Sequence, residues 1–353
     1  MRPLSRRAFL LLCCLALLAS CARRTGADAV ADDADLVVYS SHPEEIVRVV
    51  VAEFRGRTGL SLRVVQGGTG EILQRLRTET EAARGRPSPC DLLWGGGAES
   101  LTANADLFEP YASPEAAAIK PAWKAPDSSW TGFTVLPMAI GYNLRLLTAD
   151  KAPSSWADLL EPRFKGAIAY ADPAVSASSY TILRTLGSAL SARGGRTRAE
   201  VEEAFIANLD GRLLPESSAV FASVASGEFL VGLYHDEGAR ELMITGSDLA
   251  IIYPRDGTSA VPDGVALIKG ARHAEAARRF IDFVLGSDVA KVMSTRFHRR
   301  SARSDCPTPE GQLPLSALRL VDYNIGVAAA EKRETLERFA AVRNRLLAGK
   351  KGS

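Results

Sequence analysis

Hydroxyl, glycine and acidic residues recur in this 353-residue chain at the ends of apolar, β-branched runs. Ser40-Ser41-His42 follows Leu36-Val37-Val38-Tyr39, Gly67-Gly68-Thr69-Gly70 follows Leu62 to Val65, and Gly95-Gly96-Gly97 follows Cys90 to Trp94. Ile72, Leu73, Leu76, Thr80 and Ala83 then repeat at three and four, so the second run reads as strand, glycine turn, helix. Such a turn aims bare backbone N–H groups and the Thr69 hydroxyl at one point, where the positive end of the helix dipole adds to them. That is a site for an anion. Gly-Gly-Thr-Gly has neither the closing Gly-Lys-Ser/Thr of a P-loop nor the spacing of the dinucleotide fingerprint. A turn that needs glycine for positive φ accounts for it as well.

Further along, Ser176, Ser178 and Ser179 precede a helix expected around Tyr180 to Leu190. Hydroxyls there suit an anion, or cap the helix. His235-Asp236-Glu237 ends the run Phe229 to Tyr234. Carboxylates at a strand end accept hydrogen bonds from sugar hydroxyls or an amine, or else stabilise a helix N-terminus; His235 contacts a ligand or fills a turn. Thr258 belongs to a polar, extended connection, Gly257 to Pro262. Arg299, Arg300 and Arg303 read as a solvated basic loop, one of whose arginines could face a phosphate. A secreted α/β enzyme acting on phosphorylated substrates competes with solute binding. The chain has no Gly-x-Ser-x-Gly, no His-Glu-x-x-His and four histidines in all.

Strand alternating with helix in the first hundred residues requires a parallel sheet covered on both faces, with ligands beyond the carboxyl ends of the strands. The three turns would then gather at one edge. A second round starts near Lys165. Phe133 to Asn143 and Gly257 to Pro262 are long extended runs that could cross between two domains, and the length allows two. Ala152 to Leu160 reads as a short N-capped helix, and Ala199 to Leu209, Ala274 to Leu285 and Glu331 to Leu347 as longer ones.

Composition is that of a globular protein, 46% apolar and 24% charged. Of 43 basic side chains, three (Arg2, Arg6, Arg7) lie in the leader; the remaining 40 face 41 acidic ones. Near-neutral charge without a basic, aromatic-rich stripe argues against nucleic acid. Residues 1–21 join those arginines to the apolar run Phe9 to Leu18 and to Leu18-Ala19-Ser20-Cys21, the layout of an export signal. Its end resembles a bacterial lipobox, which would make Cys21 the lipidated residue, and Ser5-Arg6-Arg7-Ala8-Phe9-Leu10 resembles the twin-arginine export motif. Residues 22–34 read as a tether. Outside the cytoplasm Cys90 and Cys306 could pair; with no histidine cluster nearby they make a poor metal site.

Gln66 to Ile72, Leu93-Trp94-Gly95-Gly96-Gly97-Ala98, Val231 to Glu237, and Ile252 to Thr258 through Pro262 to Ala266 together resemble the extracytoplasmic solute-binding proteins of bacterial ABC importers. The likeness is to the branch that holds ferric-iron, hexose-phosphate and phosphonate binders. It implies an α/β, two-lobed fold of the second type, with two mixed or parallel sheets joined by two crossings. Lobe 1 would be residues 35–137 plus 257–300, and lobe 2 residues 138–256 plus 301–353. It implies a monomer without cofactor, lipid-anchored in the periplasm or on the cell surface, that serves a membrane permease with a cytoplasmic ATPase; a sensor that presents ligand to a receptor would look the same. The adjacent tyrosines typical of ferric binders are missing, since Tyr234 precedes His235. A small phosphorylated or phosphonate solute is therefore expected. Its anionic head would meet Ser40, Ser41, His42, Gly68, Thr69, Gly70, Gly96 and Gly97. Ser176, Ser178, Ser179, His235, Asp236, Glu237 and Thr258 would close over it. Ferric iron is the alternative.

Overall fold

The computed structural model describes residues 34–83 and 85–351. The leader, Cys21 and nearly all of the tether lie outside them. From β1 (Leu36–Ser40) the chain passes through α1 (Glu44–Thr58), β2 (Leu62–Gln66), α2 (Thr69–Ala83), β3 (Leu92–Gly97), α3 (Ala98–Ala103) and β4 (Phe108–Glu109) to a long β5 (Thr131–Asn143). There follow β6 (Ile168–Ala169), α4 (Ala177–Ser191), α5 (Arg198–Asn208), α6 (Ser217–Ala225), β7 (Val231–His235), α7 (Asp236–Ile244) and β8 (Leu249–Ile252). The chain then runs through β9 (Ala260–Ile268), α8 (Ala274–Leu285), α9 (Ser287–Arg296), α10 (Ile325–Ala330) and α11 (Lys332–Lys351).

Local chemistry sets these limits. Glu44 and Glu45 open α1, Arg55 and Arg57 close it, and Gly59 ends it at φ 73°, so both dipole ends are complemented and the left-handed stop is free of a Cβ. A reciprocal capping box between Thr197 and Glu200 starts α5. The segment from Ala152 forms only a 3-10 turn over Ala157–Leu160, with Ser154 and Ser155 held by the Asp158 carboxylate.

β1, β2 and β3 are parallel, with β1 between the others. β9 then enters antiparallel between β3 and β5. From Thr131 to Pro137, β5 pairs with β9; from Met138 onward it pairs with β7 and β8. A proline, which has no N–H for a ladder, stands at the change of partner. The strand thereby joins two half-sheets, and β6 is parallel to β7 at the far edge.

Each half-sheet is covered on both faces. Leu36 and Val38 face a core with Phe54, Trp94, Phe133 and Phe280, while Val37 and Tyr39 face Ile72, Leu76, Leu101 and Trp130. In the other half Met138, Ile140 and Tyr142 pack with Trp156, Leu183, Phe205 and Phe339, and Ala169 and Tyr234 pack with Val220 and Val224. Trp94 meets Phe133 and Phe280 edge-on, each at 5.6 Å. Truncating one of these rings would cost about 3–5 kcal/mol. Two half-sheets, each covered on both faces, thus meet along one seam.

Candidate functional site

The three turns do gather at the carboxyl ends of β1, β2 and β3. Gly67 N–H donates to the Ser40 carbonyl at 3.2 Å. Gly95, at φ 116°, leaves room for Ser41, whose Oγ would lie 2.5 Å from a Cβ there. At Gly96, φ 83°, a Cβ would come within 3.0 Å of Thr69 Cγ2. Ser40 is fully buried, and its Oγ accepts from His42 N–H at 3.2 Å.

The second half-sheet presses on this edge. Gly70 N–H donates to the Val175 carbonyl at 3.3 Å. A Cβ on Gly68 would fall 2.8 Å from Val175 Cγ1, and one on Gly97 would lie 3.6 Å from Ala177 Cβ. Thr181 Oγ1 donates to the Glu99 carboxylate at 2.8 Å, and Tyr323 hydrogen-bonds the same oxygen. Ser176 caps α4, accepting from Ser179 N–H at 3.2 Å, and its Oγ shares hydrogen bonds with Ser178 and Ser217 at 3.1 and 2.8 Å. Ser179 itself is buried.

One detail changes the expected anion cradle. Gly68 N–H donates to the Glu71 carboxylate at 3.2 Å, so the third residue of α2 already caps its own helix with negative charge. With Gly67 held by Ser40 and Gly70 by Val175, the turn has few N–H groups to spare. An anion seated there would have to displace the Glu71 side chain.

A second polar group lies where β5 changes partners. His42 packs edge-on against Trp94 at 4.4 Å, with its Nδ1 3.7 Å from Asp263. Asp263 accepts from Thr134 Oγ1 at 2.6 Å and from Arg299 Nη2 at 2.8 Å. Arg299 Nε donates to Thr134 Oγ1 at 2.9 Å. Arg300 Nη2 reaches Asp236 at 3.0 Å, and Tyr253 donates to the same carboxylate oxygen at 2.6 Å. His235 Nδ1 stands 3.2 Å from Glu237 Oε2 without hydrogen-bond alignment. Thr258, fully buried, spends its hydroxyl on the Met138 carbonyl at 2.6 Å and so holds the crossing rather than facing a solute.

Burial, and after it Arg299, hold the His42 imidazole well below the usual range, so it is neutral. Burial also pushes the Asp263 carboxyl up, against the pull of Arg299 and Thr134. For Glu237, burial acts upward, but Arg299 and His235 together outweigh it and bring the carboxyl down to about 2.

The basic loop expected from Arg299 onward is corrected here. Arg299 and Arg300 are only 4% and 5% exposed, because Ser301 bridges Thr134 and the 299–302 segment runs beside β5. Their burial departs from the solvated loop, not from the alternative that one of them faces a phosphate; Asp263, Thr134 and Tyr253 are the residues that sequence reasoning missed. The pairing left open for Cys90 and Cys306 is not formed either. Both are free thiols, Cys90 buried with its Sγ 3.2 Å from the Leu92 carbonyl and Cys306 beside the Ala290 carbonyl at 3.8 Å. Tyr234 turns its hydroxyl into the sheet, onto Gly141, where a Cβ would overlap it. Among the described residues no group of three His, Cys, Asp or Glu side chains is placed to hold a metal ion.

Residues 89–314 match the profile of the bacterial extracellular solute-binding proteins. The chain is 25% identical over 297 residues to iron uptake protein A1 of Synechocystis sp., covering 79% of each chain. It is 24% identical over 263 residues to a putative 2-aminoethylphosphonate-binding periplasmic protein of Salmonella typhi, covering 71% of this chain and 72% of the other. The fold is shared with the periplasmic binding protein AfuA of Actinobacillus pleuropneumoniae, solved with fructose-6-phosphate. That likeness has a TM-score of 0.77 at 21% identity over 85% of this chain and 95% of AfuA. Two half-sheets joined by a shared strand, with strand-end turns meeting at the seam, are the type II periplasmic-binding architecture, and the chain belongs to the bacterial extracellular solute-binding protein family, whose members bind and carry solutes rather than transform them.

Proposed function

We propose that this protein captures a small anionic solute, phosphorylated or a phosphonate, at the seam between its half-sheets. The halves act as lobes that hinge where β5 changes partners, near Pro137 and Met138 on one crossing and Thr258 and Ser259 on the other. The closed form is favoured because it alone makes both sets of contacts. The loaded protein then docks on an ABC permease driven by a cytoplasmic ATPase. Cys21 carries the lipid that keeps it at the membrane, and it works as a monomer.

The observation that carries this reading is the pair of buried guanidinium groups at the seam, with N–H atoms on Arg299 Nη1 and on Arg300 Nε and Nη1 that have no acceptor. Their charges are paired with Asp263 and Asp236, and the N–H atoms left over are donors that suit the oxygens of an anionic group and have nothing to offer a metal ion. Tyr234, turned away from the seam, points the same way. A thermal-shift screen tests it, using the chain begun at Asp33 and hexose phosphates, aminoalkylphosphonates, phosphate, neutral sugars, amino acids and ferric citrate. A ligand at 100 times its Kd adds about 2.7 kcal/mol to the folded state. Stabilisation by a phosphorylated or phosphonate compound is the expected result; a shift with ferric citrate alone, or with neutral solutes alone, refutes the anion.

A further inference from the structure

Four groups at the seam could receive an anionic head: the Gly67–Gly70 turn, the serines at the start of α4, Arg299 and Arg300. The turn is capped by Glu71 and Val175. The serine hydroxyls bond one another and the backbone of their own helix. Arg299 gives Nε to Thr134 and Nη2 to Asp263, so its charge is matched inside one lobe.

Arg300 differs from all three. Its carbonyl accepts from Val135 N–H at 2.9 Å, which ties its backbone to the first part of β5. Its side chain leaves that lobe and meets Asp236 at the first residue of α7, directly after the end of β7. It thus spans the line about which the halves would move. The group is 5% exposed and makes one close hydrogen bond, through Nη2, while Nε and Nη1 are buried without an acceptor. A buried guanidinium has five N–H bonds to satisfy, and leaving them unmet is costly. Asp236 does not meet the need in this arrangement: it takes only Nη2, on an oxygen that also accepts from Tyr253.

We propose that Arg300 is the cationic anchor for the solute's anionic group, donating from Nε and Nη1 while Nη2 stays on Asp236. This rests on the reading that an anion binds at the seam and assigns the residue that selects it. Arg300 then discriminates a phosphate or phosphonate from its uncharged counterpart. Because it reaches across the hinge, the same contact couples occupancy to lobe position.

Isothermal titration of the full chain tests this, with 2-aminoethylphosphonate and glucose 6-phosphate as anionic probes and ethanolamine and glucose as their phosphate-free counterparts. A charge-assisted hydrogen bond predicts that Arg300→Gln weakens the better anionic probe by about 10- to 150-fold, with any binding of its counterpart unchanged. Arg300→Lys keeps the charge opposite Asp236 but loses the planar fork. It serves if the Gln variant does not fold, and should lose about tenfold for the anionic probe alone. Wild-type affinity for the anionic probe in both variants overturns the anchor while leaving anion binding intact. Equal loss for anionic and uncharged probes also overturns it, since that is the mark of a merely structural hinge residue. Failure of the wild type to bind any anionic probe overturns the anion reading itself and this inference with it.

Discussion

Gly70→Ala is the sharpest perturbation of the seam. Gly70 lies in the first turn of α2, and a Cβ there would fall 2.2 Å from the Ala174 carbonyl oxygen and 3.2 Å from its carbon. Both are backbone atoms of the opposite lobe, so no side chain can swing aside. Relief requires the 172–176 loop to withdraw, which breaks the Gly70 to Val175 hydrogen bond. Overpacking of this kind costs about 1–3 kcal/mol and the lost bond about 1 kcal/mol. Alanine also gains about 1 kcal/mol of helix propensity over glycine. That gain is present whether the lobes are together or apart, so it cancels from closure while raising the stability of the first lobe. The net penalty on closure is about 2–4 kcal/mol, and affinity for a solute that binds the closed form should drop by about 30- to 1,000-fold. Titration with whichever compound the screen identifies, beside small-angle scattering for lobe separation and urea unfolding for stability, reads all three. Wild-type affinity with an unchanged radius of gyration would refute the reasoning, because it would mean that this contact plays no part in closure.

Stability should fall with pH below about 6.5. There the unfolded chain protonates His42, whose ordinary value is 6.5, while the buried imidazole stays neutral. The slope is at most about 1.4 kcal/mol per pH unit. Urea midpoints at pH 7.5 and 5.5 should converge in His42→Gln; an undiminished difference would place the proton uptake elsewhere. Glu237 adds a second loss between its ordinary 4.5 and about 2, in the same direction because the unfolded state again binds the extra proton. Asp263, pushed the other way, opposes it in the carboxylate range. Tyr234→Phe removes a buried hydroxyl without a partner and should stabilise by about 1 kcal/mol in urea with solute affinity unchanged; lost affinity would show that the hydroxyl reaches the ligand. A reducing agent should leave the Tm unmoved, since Cys90 and Cys306 are free; a drop would reveal a disulfide.

Much of the frame was legible because it is local. Leu36 to Tyr39 reads as a buried strand, Ala274 to Leu285 as an amphipathic helix, and one of Ser176, Ser178 and Ser179 as a helix cap, which the structure identifies as Ser176. What stayed hidden depends on distant partners. Nothing in Val261 to Ile268 says that it enters antiparallel between two earlier strands. Arg299 and Arg300 read as a solvated loop because their acceptors lie 36 and 64 residues away, and a guanidinium is buried only where such acceptors wait. Glu71 was within sight of the glycine turn, three positions after Gly68. An acidic side chain in a first helical turn is common whether or not a ligand is bound there, so only the structure shows Glu71 occupying the cradle.

The insertion of β9 beside β3 has a consequence for biosynthesis. β3 gains its second neighbour only when Leu267 meets Leu92, and the core under α1 is completed by Phe280 and Ile281 of α8. The N-terminal lobe therefore cannot finish folding until some 280 residues have emerged, whereas the strands β6 to β8 are nested within it and lack only Phe339 and Val342 of α11 to complete their core. The inner strands have the shorter loops to close and can pair first, though their core is finished only by α11; until β9 arrives the edge of β3 stays exposed. Any export route for this chain must either shield that edge in transit or carry the protein after the last strand is in place.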